Sequence, residues 1–194
     1  MMFIIPSQNV QKKYSCGPDG IHLAVLKECI ESLSLPLAIL FNKSLSSGLF
    51  PKLWKKSFII PLYKSGAKND VKNYRPIAML SCIPKIFEGI ITDVITFNVK
   101  SIISHDQHGF IRGRSTTTNL LEFVTYCFDG FNDRVQVDCV FTDFSKAFDK
   151  LSHGILLTKL MKIGFGNNFV SWIQSYLTDR SSCVLFENVL SNFF

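Results

Sequence analysis

The sequence has few of the features that mark a secreted, fibrous or membrane protein. Its six cysteines form no Cys-x-x-Cys pair and have no histidine at metal-ligand spacing, which argues against a zinc site and a disulfide framework. No apolar stretch approaches the ~20 residues that cross a bilayer, and the apolar N-terminal run is too short for a signal-peptide core. We therefore expect an intracellular protein with reduced thiols, no disulfide partner and no membrane contact.

What the sequence does contain is a large apolar fraction and an uneven charge. The 194 residues are 47% hydrophobic, include 18 phenylalanines and carry a formal charge of +6. This composition suits one globular domain or two small lobes with a packed interior. Residues 52–75 hold seven lysines and arginines against one acid, Asp70. Such a cluster suits a surface that follows a phosphate backbone, and a merely solvated loop is the competing interpretation.

The hydrophobic periodicity predicts more helix than strand. The predicted helices cover residues 21–33, Pro36 to a cap at Gly48, 84–100, a segment capped by Ser115, 153–163 and 168–177. The predicted strands cover residues 57–63, where Pro61 favours a sheet edge, 135–143, and a hairpin around 187–188. A polar, basic loop is predicted over 64–74. Because strands and helices do not alternate strictly, the predicted fold class is α+β.

The most informative stretch is the predicted strand that ends in Asp143. Val137, Cys139 and Phe141 alternate so that they share one face with this aspartate. A carboxylate that continues an apolar face is buried unless the strand end opens into a cleft, where its oxygens suit a divalent cation such as Mg²⁺. Capping of a helix that begins near Ser145 is the competing interpretation of the same spacing.

Six ordered blocks of sequence resemble the reverse transcriptases of non-LTR retrotransposons, with the jockey-like elements of animals as the nearest type. The blocks are residues 17–21, 48–55, 60–64, 73–77 followed by Lys85 and Glu88, 107–116, and 143–149. Each block is short, but their order and spacing cover nearly the whole chain, from residue 14 to residue 194. The chain is therefore identified as a member of this family.

The resemblance implies a fold and an activity. The fold would be the fingers and the first part of the palm of a right-hand polymerase, with residues 1–134 as a basic, helical fingers region, residues 135–194 as a partial palm, and no thumb. The family activity is RNA-templated DNA synthesis by nucleotidyl transfer, in which two Mg²⁺ ions assist the attack of a primer hydroxyl on a nucleoside triphosphate. The implied partners are an RNA template, a DNA primer and dNTPs, in a nuclear or cytoplasmic ribonucleoprotein.

The resemblance also implies roles for individual residues. Asp143 is similar to the first metal-binding, catalytic aspartate of the palm. Phe148 is similar to the aromatic residue that lies under the sugar and excludes a ribose 2′-hydroxyl. Lys64 and Arg75 would contact the nucleotide, because positive charge is needed where a triphosphate reacts. The implied nucleic-acid contacts are Lys68, Lys72, Arg112 and Arg114.

Parts of the family pattern are absent from the sequence. It contains neither the Gly-x-Pro-Gln-Gly block nor any Asp-Asp dipeptide. Since one carboxylate cannot hold two divalent ions, we expect no stable Mg²⁺ site and no polymerase activity from this chain alone. A non-catalytic RNA- or DNA-binding module and an inert retrotransposon remnant are the alternative functions. An incomplete palm is also expected to expose strand edges and apolar surface.

Overall fold

A computed structural model describes residues 16–194, which divide into two compact units. One unit comprises residues 16–92 and 152–194, and the other comprises residues 93–151. The helices are α1 Leu23–Glu28, α2 Ile30–Ser47, α3 Cys82–Val99, α4 Thr116–Asn132, α5 His153–Ile163 and α6 Asn167–Leu177. The strands are β1 Lys56–Tyr63, β2 Tyr74–Leu80, β3 Ser181–Phe186 and β4 Val189–Leu190. The α+β class is confirmed, and the predicted division at residue 134 into fingers and palm stays a prediction.

The four strands form one mixed sheet in the order β2-β1-β3-β4. β1 pairs antiparallel with β2 from Ser57 to Tyr63, and it pairs parallel with β3 from Lys56 to Ile59. The predicted edge position of this strand is therefore wrong for its first half, which lies between two neighbours. Pro61 has no N–H to donate, and it lies beyond the last residue that pairs with β3. The pairing with β3 thus ends before Pro61, whereas the pairing with β2 continues past it.

The first two helices are divided differently from the prediction: the predicted helix over 21–33 ends at Glu28 as α1, and residues 30–33 belong to α2. Pro36 does not open a helix, because α2 already begins at Ile30 and includes this proline. The chain breaks instead at Cys29, which separates α1 from α2. Pro36 cannot donate a backbone hydrogen bond within the helix, but the burial of Leu37 and Phe41 stabilises α2 by more than this loss. Gly48 ends this helix as predicted, with the left-handed φ of 67° that glycine adopts without strain.

The remaining predicted elements are confirmed to within two residues at most helix ends. The Ser115 side chain caps α4 in a reciprocal capping box with Thr118. Glu187 and Asn188 both have positive φ, as a two-residue hairpin turn between β3 and β4 requires. None of the helices within residues 16–194 has the length and hydropathy needed to cross a bilayer.

Aromatic rings build the core of the first unit. Phe41 stacks on Phe87 with ring centroids 4.3 Å apart, and Trp172 meets Phe87 at 5.1 Å and Phe50 at 5.4 Å. The indole N–H of Trp172 donates a hydrogen bond of 2.8 Å to Ser44 Oγ. Because a buried indole needs such a partner, this bond fixes α6 against the end of α2.

The predicted strand over residues 135–143 is wrong, because these residues form no ladder with any other part of the described chain. Two of the alternating side chains, Val137 and Phe141, contact α4 instead. A Cβ built on Gly130 would lie 2.6 Å from Val137 Cγ2, and the rings of Phe123 and Phe141 are 6.1 Å apart. A strand requires a neighbour for its N–H and C=O groups, and alternation in the sequence cannot supply one. The segment meets α4 at these contacts, but its predicted face is not buried, because Phe141 is 85% exposed and Cys139 is also exposed.

Candidate functional site

A basic loop, residues 64–73, connects β1 to β2 in the first unit. The side chains of Lys64, Lys68 and Lys72 are exposed, as is Arg75 at the start of β2. The register pairs Tyr63 with Tyr74 and Leu62 with Arg75. The structure therefore brings all four predicted cations to one end of a single hairpin, where their charges can act on the same anion.

Side chains that flank the basic loop hold its backbone in place. Asn73 Nδ2 donates a hydrogen bond of 2.8 Å to the carbonyl of Ala67, and the Tyr74 hydroxyl donates one of 2.8 Å to the carbonyl of Lys68. The N–H of Lys64 donates to the carbonyl of Asn73 at 2.8 Å. These bonds satisfy backbone carbonyl groups of the loop and use no lysine ammonium group. The ammonium groups of Lys64, Lys68 and Lys72 therefore remain available to an anion.

Two further contacts limit the conformations of the basic loop. Gly66 has a φ of 93°, and a Cβ there would lie 2.7 Å from Asn73 Nδ2. The Tyr63 hydroxyl donates to the Gly66 carbonyl, and the Lys68 ammonium lies 5.7 Å from the centre of the Tyr63 ring. A loop fixed in this way presents its cations with little ordering cost when an anion binds.

The flanking residues Tyr63, Asn73 and Tyr74 were missed as functional residues by the sequence analysis. Two of them belong to the block at residues 73–77, which was identified by its resemblance and assigned no physical role beyond that of Arg75. The sequence signal that could have identified them is the position of Asn73 and Tyr74 directly after a run of loop residues. The amide and phenol side chains can both form hydrogen bonds to nearby backbone groups and so fix such a loop.

Asp143 lies in the second unit, in the segment that follows α4. Its side chain is exposed, and no hydrogen-bond donor or cation from residues 16–194 contacts it. No helix begins near Ser145, because residues 145–150 form turns, so the capping interpretation is wrong. Phe148 is 79% exposed, and its ring meets the edge of Phe110 with centroids 6.3 Å apart. The predicted catalytic and metal-binding role of Asp143 and the sugar contact of Phe148 stay predictions.

The two predicted arginines of the second unit differ in their environment. The Arg112 side chain is exposed. The Arg114 guanidinium donates to the backbone carbonyls of His105 and Gln107, the latter at 3.0 Å. Arg114 therefore helps to hold its own loop together, and only its remaining N–H groups are available to nucleic acid.

A buried histidine anchors the same loop to α4. His108 is 7% exposed, and its Nδ1 lies 2.8 Å from Thr118 Oγ1 while its Nε2 lies 3.0 Å from Glu122 Oε2. Both ring nitrogens thus have partners from α4 alone. His108 belongs to the sequence block at residues 107–116, but the sequence alone did not predict this structural role.

The donor groups of the described chain do not fit a two-ion magnesium centre. Carboxylate oxygens are the ligands that Mg²⁺ prefers, and Asp143 offers two of them. Residues 16–194, however, bring together no group of three or more aspartate, glutamate, histidine or cysteine side chains that could hold a metal ion. We therefore derive no chemical step through bound metal from this structure.

Burial perturbs the ionisation of an acid in the block that ends at residue 88. Burial raises the pKa of the Glu88 carboxyl, partly opposed by the Tyr176 hydroxyl and by Arg180, and Glu88 Oε1 has no hydrogen-bond partner within residues 16–194. Burial and the nearby Glu88 raise the pKa of Tyr176 to about 12. The Arg180 guanidinium lies 4.8 Å from the centre of the Tyr176 ring. Glu88 on α3 therefore contacts Tyr176 on α6, and its role here is in the packing of these two helices.

Comparison with known proteins matches this chain to one family. A family model described as reverse transcriptase (RNA-dependent DNA polymerase) matches residues 64–193. These residues include the basic loop, Arg75, the arginine-bearing loop and the segment with Asp143 and Phe148. The chain belongs to the reverse transcriptase family, whose members act on nucleic acids and generally use divalent metal ions.

The similar proteins come from non-LTR retrotransposons, as the sequence blocks predicted. The chain is 32% identical over 184 residues to the probable RNA-directed DNA polymerase from transposon BS of Drosophila melanogaster. The matched residues cover 92% of this chain and 20% of that protein. It is 31% identical over 148 residues to the RNA-directed DNA polymerase from mobile element jockey of the same fly, covering 75% of this chain and 16% of that protein. The chain thus spans about a fifth of the length of these curated relatives.

Proposed function

We propose that this chain is the fingers and first palm portion of a reverse transcriptase and that it holds nucleic acid through the basic loop. The carrying observation is that Lys64, Lys68 and Lys72 are exposed on a loop whose backbone is fixed by Asn73 and Tyr74. Ordered cations at one end of a hairpin can neutralise several adjacent phosphates of a template or primer and displace their counterions.

Within this proposal the site residues keep the roles that the family resemblance implies. Lys64 and Arg75 contact the triphosphate of a dNTP, because they lie at the end of the hairpin where the two strands pair. Lys68, Lys72 and Arg112 contact the backbone of the RNA template or DNA primer, and Arg114 does so with the N–H groups that its own loop leaves free.

Asp143 and Phe148 have proposed roles that depend on more than this chain. The exposure of Asp143 suits a ligand that shares Mg²⁺ with further carboxylates, and the exposure of Phe148 suits contact with a nucleotide sugar. The 194 residues contain no Asp-Asp dipeptide. We propose that the chain alone does not bind Mg²⁺ stably and does not extend a primer, while the family activity remains RNA-templated DNA synthesis.

Salt-dependent RNA binding tests the nucleic-acid contact. The affinity of the chain for single-stranded RNA is measured against salt concentration, for the wild type and for the triple variant Lys64→Gln, Lys68→Gln and Lys72→Gln. Loss of three phosphate contacts is expected to lower the slope of log K against log salt by about 2. The matched control neutralises three exposed lysines outside the loop: Lys27, Lys43 and Lys159.

The outcomes separate the candidate functions. A slope that falls equally in both triple variants would show that overall charge governs binding and would contradict the role of the loop. No measurable RNA affinity at low salt would leave the inert remnant. Primer extension on an RNA template with Mg²⁺ is expected to give no product, and extension that disappears in Asp143→Ala would overturn the proposed inactivity of the isolated chain.

A further inference from the structure

A cleft in the first unit contains a lysine with no partner. Residues 48–52 and Lys55 line one side of this cleft, which has a volume of about 890 Å³, and Ser171, Ser175 and other residues of 171–179 line the opposite side. Lys55 is 7% exposed, and its ammonium makes no hydrogen bond or ion pair within residues 16–194. The lysine stem is packed and its ammonium has no counter-charge among residues 16–194, so this ammonium is available to an anion that enters the cleft.

The opposite side of the cleft supplies neutral hydrogen-bond donors. Ser175 Oγ accepts the N–H of Phe50 at 3.0 Å, so the hydrogen of this hydroxyl is left for an acceptor in the cleft. The Ser171 hydroxyl and the Gln174 amide also line the cleft. A cleft lined by an ammonium, hydroxyl groups and an amide is suited to an oxyanion, which accepts several hydrogen bonds at once.

The charge balance of the cleft also favours an anion. Its ionisable lining residues are Lys52, Lys55 and Asp179, which gives one net positive charge. Asp179 forms no ion pair with the Lys55 ammonium. The carboxylate therefore does not take the place of the missing partner.

We propose that this cleft binds a phosphate group, with the Lys55 ammonium as its counter-charge and the Ser175 hydroxyl as a hydrogen-bond donor. The cleft is separate from the basic loop. Lys55 precedes and Lys64 follows the 8 residues of β1, so at ~3.3 Å per residue their Cα atoms lie roughly 30 Å apart along the strand. A phosphate in the cleft is thus a second anion site, which does not depend on the loop.

Thermal unfolding of the full 194-residue chain in phosphate and in chloride, at matched ionic strength, tests this site. Phosphate is expected to raise the Tm of the wild type by more than that of Lys55→Met, which keeps the aliphatic packing and removes the charge. Lys159→Met is the matched control on the exposed face of α5, and its phosphate response should equal that of the wild type. This comparison removes the general stabilisation that phosphate gives to any folded protein.

Calorimetric titration then gives the affinities and distinguishes the sources of the phosphate group. Lys55→Met is expected to bind inorganic phosphate about 10- to 100-fold more weakly than the wild type, because a charge-assisted hydrogen bond is lost. Lys55→Arg retains the charge and should retain most of the affinity. The affinity for a short single-stranded RNA is then compared with and without Lys55→Met. Both proteins in this comparison also carry Lys64→Gln, Lys68→Gln and Lys72→Gln, so that the basic loop does not contribute.

Each result has a defined meaning. Weaker binding of both ligands by Lys55→Met supports a site for the RNA backbone, and weaker binding of inorganic phosphate alone supports a site for a free phosphate or a small phosphorylated ligand. Equal phosphate responses of the wild type, Lys55→Met and Lys159→Met would overturn the proposal. That outcome would leave RNA binding by the basic loop untouched, so the two proposals fail separately.

Discussion

Substitution of Gly130 tests whether the segment that carries Asp143 packs on α4. An alanine in an exposed helix is expected to raise the free energy of unfolding by about 1 kcal/mol over glycine. At Gly130 the added methyl would lie 2.6 Å from Val137 Cγ2, a separation that unstrained carbon atoms do not reach. Crowding of this kind costs about 1–3 kcal/mol, so Gly130→Ala is expected to lower the free energy of unfolding by roughly 1 kcal/mol in net terms.

Gly89 provides the matched control for this substitution. It lies in α3, and a Cβ there would meet nothing within 4 Å. Gly89→Ala should therefore show the gain from helix propensity alone, about 1 kcal/mol. Urea denaturation followed by far-UV circular dichroism measures both variants, together with Val137→Ala and the double variant Gly130→Ala/Val137→Ala.

The double variant decides the physical cause. If Val137 causes the loss, its truncation should make Gly130→Ala stabilising, with a coupling free energy of about 1 kcal/mol or more between the two sites. A Gly130→Ala variant that is stabilised as much as Gly89→Ala in the presence of Val137 would refute the packing of residues 135–143 on α4.

Three further predictions concern the first unit. Gly17→Ala should lower the free energy of unfolding by about 1–3 kcal/mol in urea denaturation, because the new Cβ would lie 2.5 Å from the backbone of Ser81, which cannot move aside as a side chain can. A neutral effect would contradict this close approach. Glu88→Gln should stabilise the chain more at neutral pH than near pH 4.5, because a pKa raised by burial gives stability at low pH that is lost as pH rises through it; a pH-independent difference in Tm would contradict it. Tyr74→Phe should weaken RNA binding about threefold in a filter-binding assay through loss of the hydrogen bond to the Lys68 carbonyl, and unchanged affinity would show that this bond does not order the loop.

The sequence predicted most helices and the basic loop because local signals determine them. Gly48 and Ser115 are capping residues whose preference depends on a few neighbouring atoms, and both cap as expected. The basic loop was predicted because its residues are polar, basic and rich in turn formers, whereas the strand β2 that follows it was not predicted. Local chemistry of this kind is contained in a short window of sequence.

The errors arose where tertiary contacts decide the outcome. Alternation over residues 135–143 suggests an extended segment, but it does not show whether another strand is available to pair with it, and here the preceding helix α4 contacts it. Pro61 excludes a hydrogen bond on one side of its strand, but the length of the pairing with β3 decides where that exclusion acts. The partnerless Lys55 was likewise hidden, because only the packed structure shows which lysine of a basic run is buried.

The most direct test of the central claim is to map where RNA contacts the chain. Ultraviolet crosslinking of single-stranded RNA to the 194-residue chain, followed by mass spectrometry, should give crosslinks at Tyr63 and Tyr74, whose rings flank the basic loop with centroids 5.6 Å apart. These crosslinks should be lost when Lys64, Lys68 and Lys72 are replaced by glutamine. Efficient crosslinks confined to other surfaces, with residues 63–75 unmodified, would contradict the account.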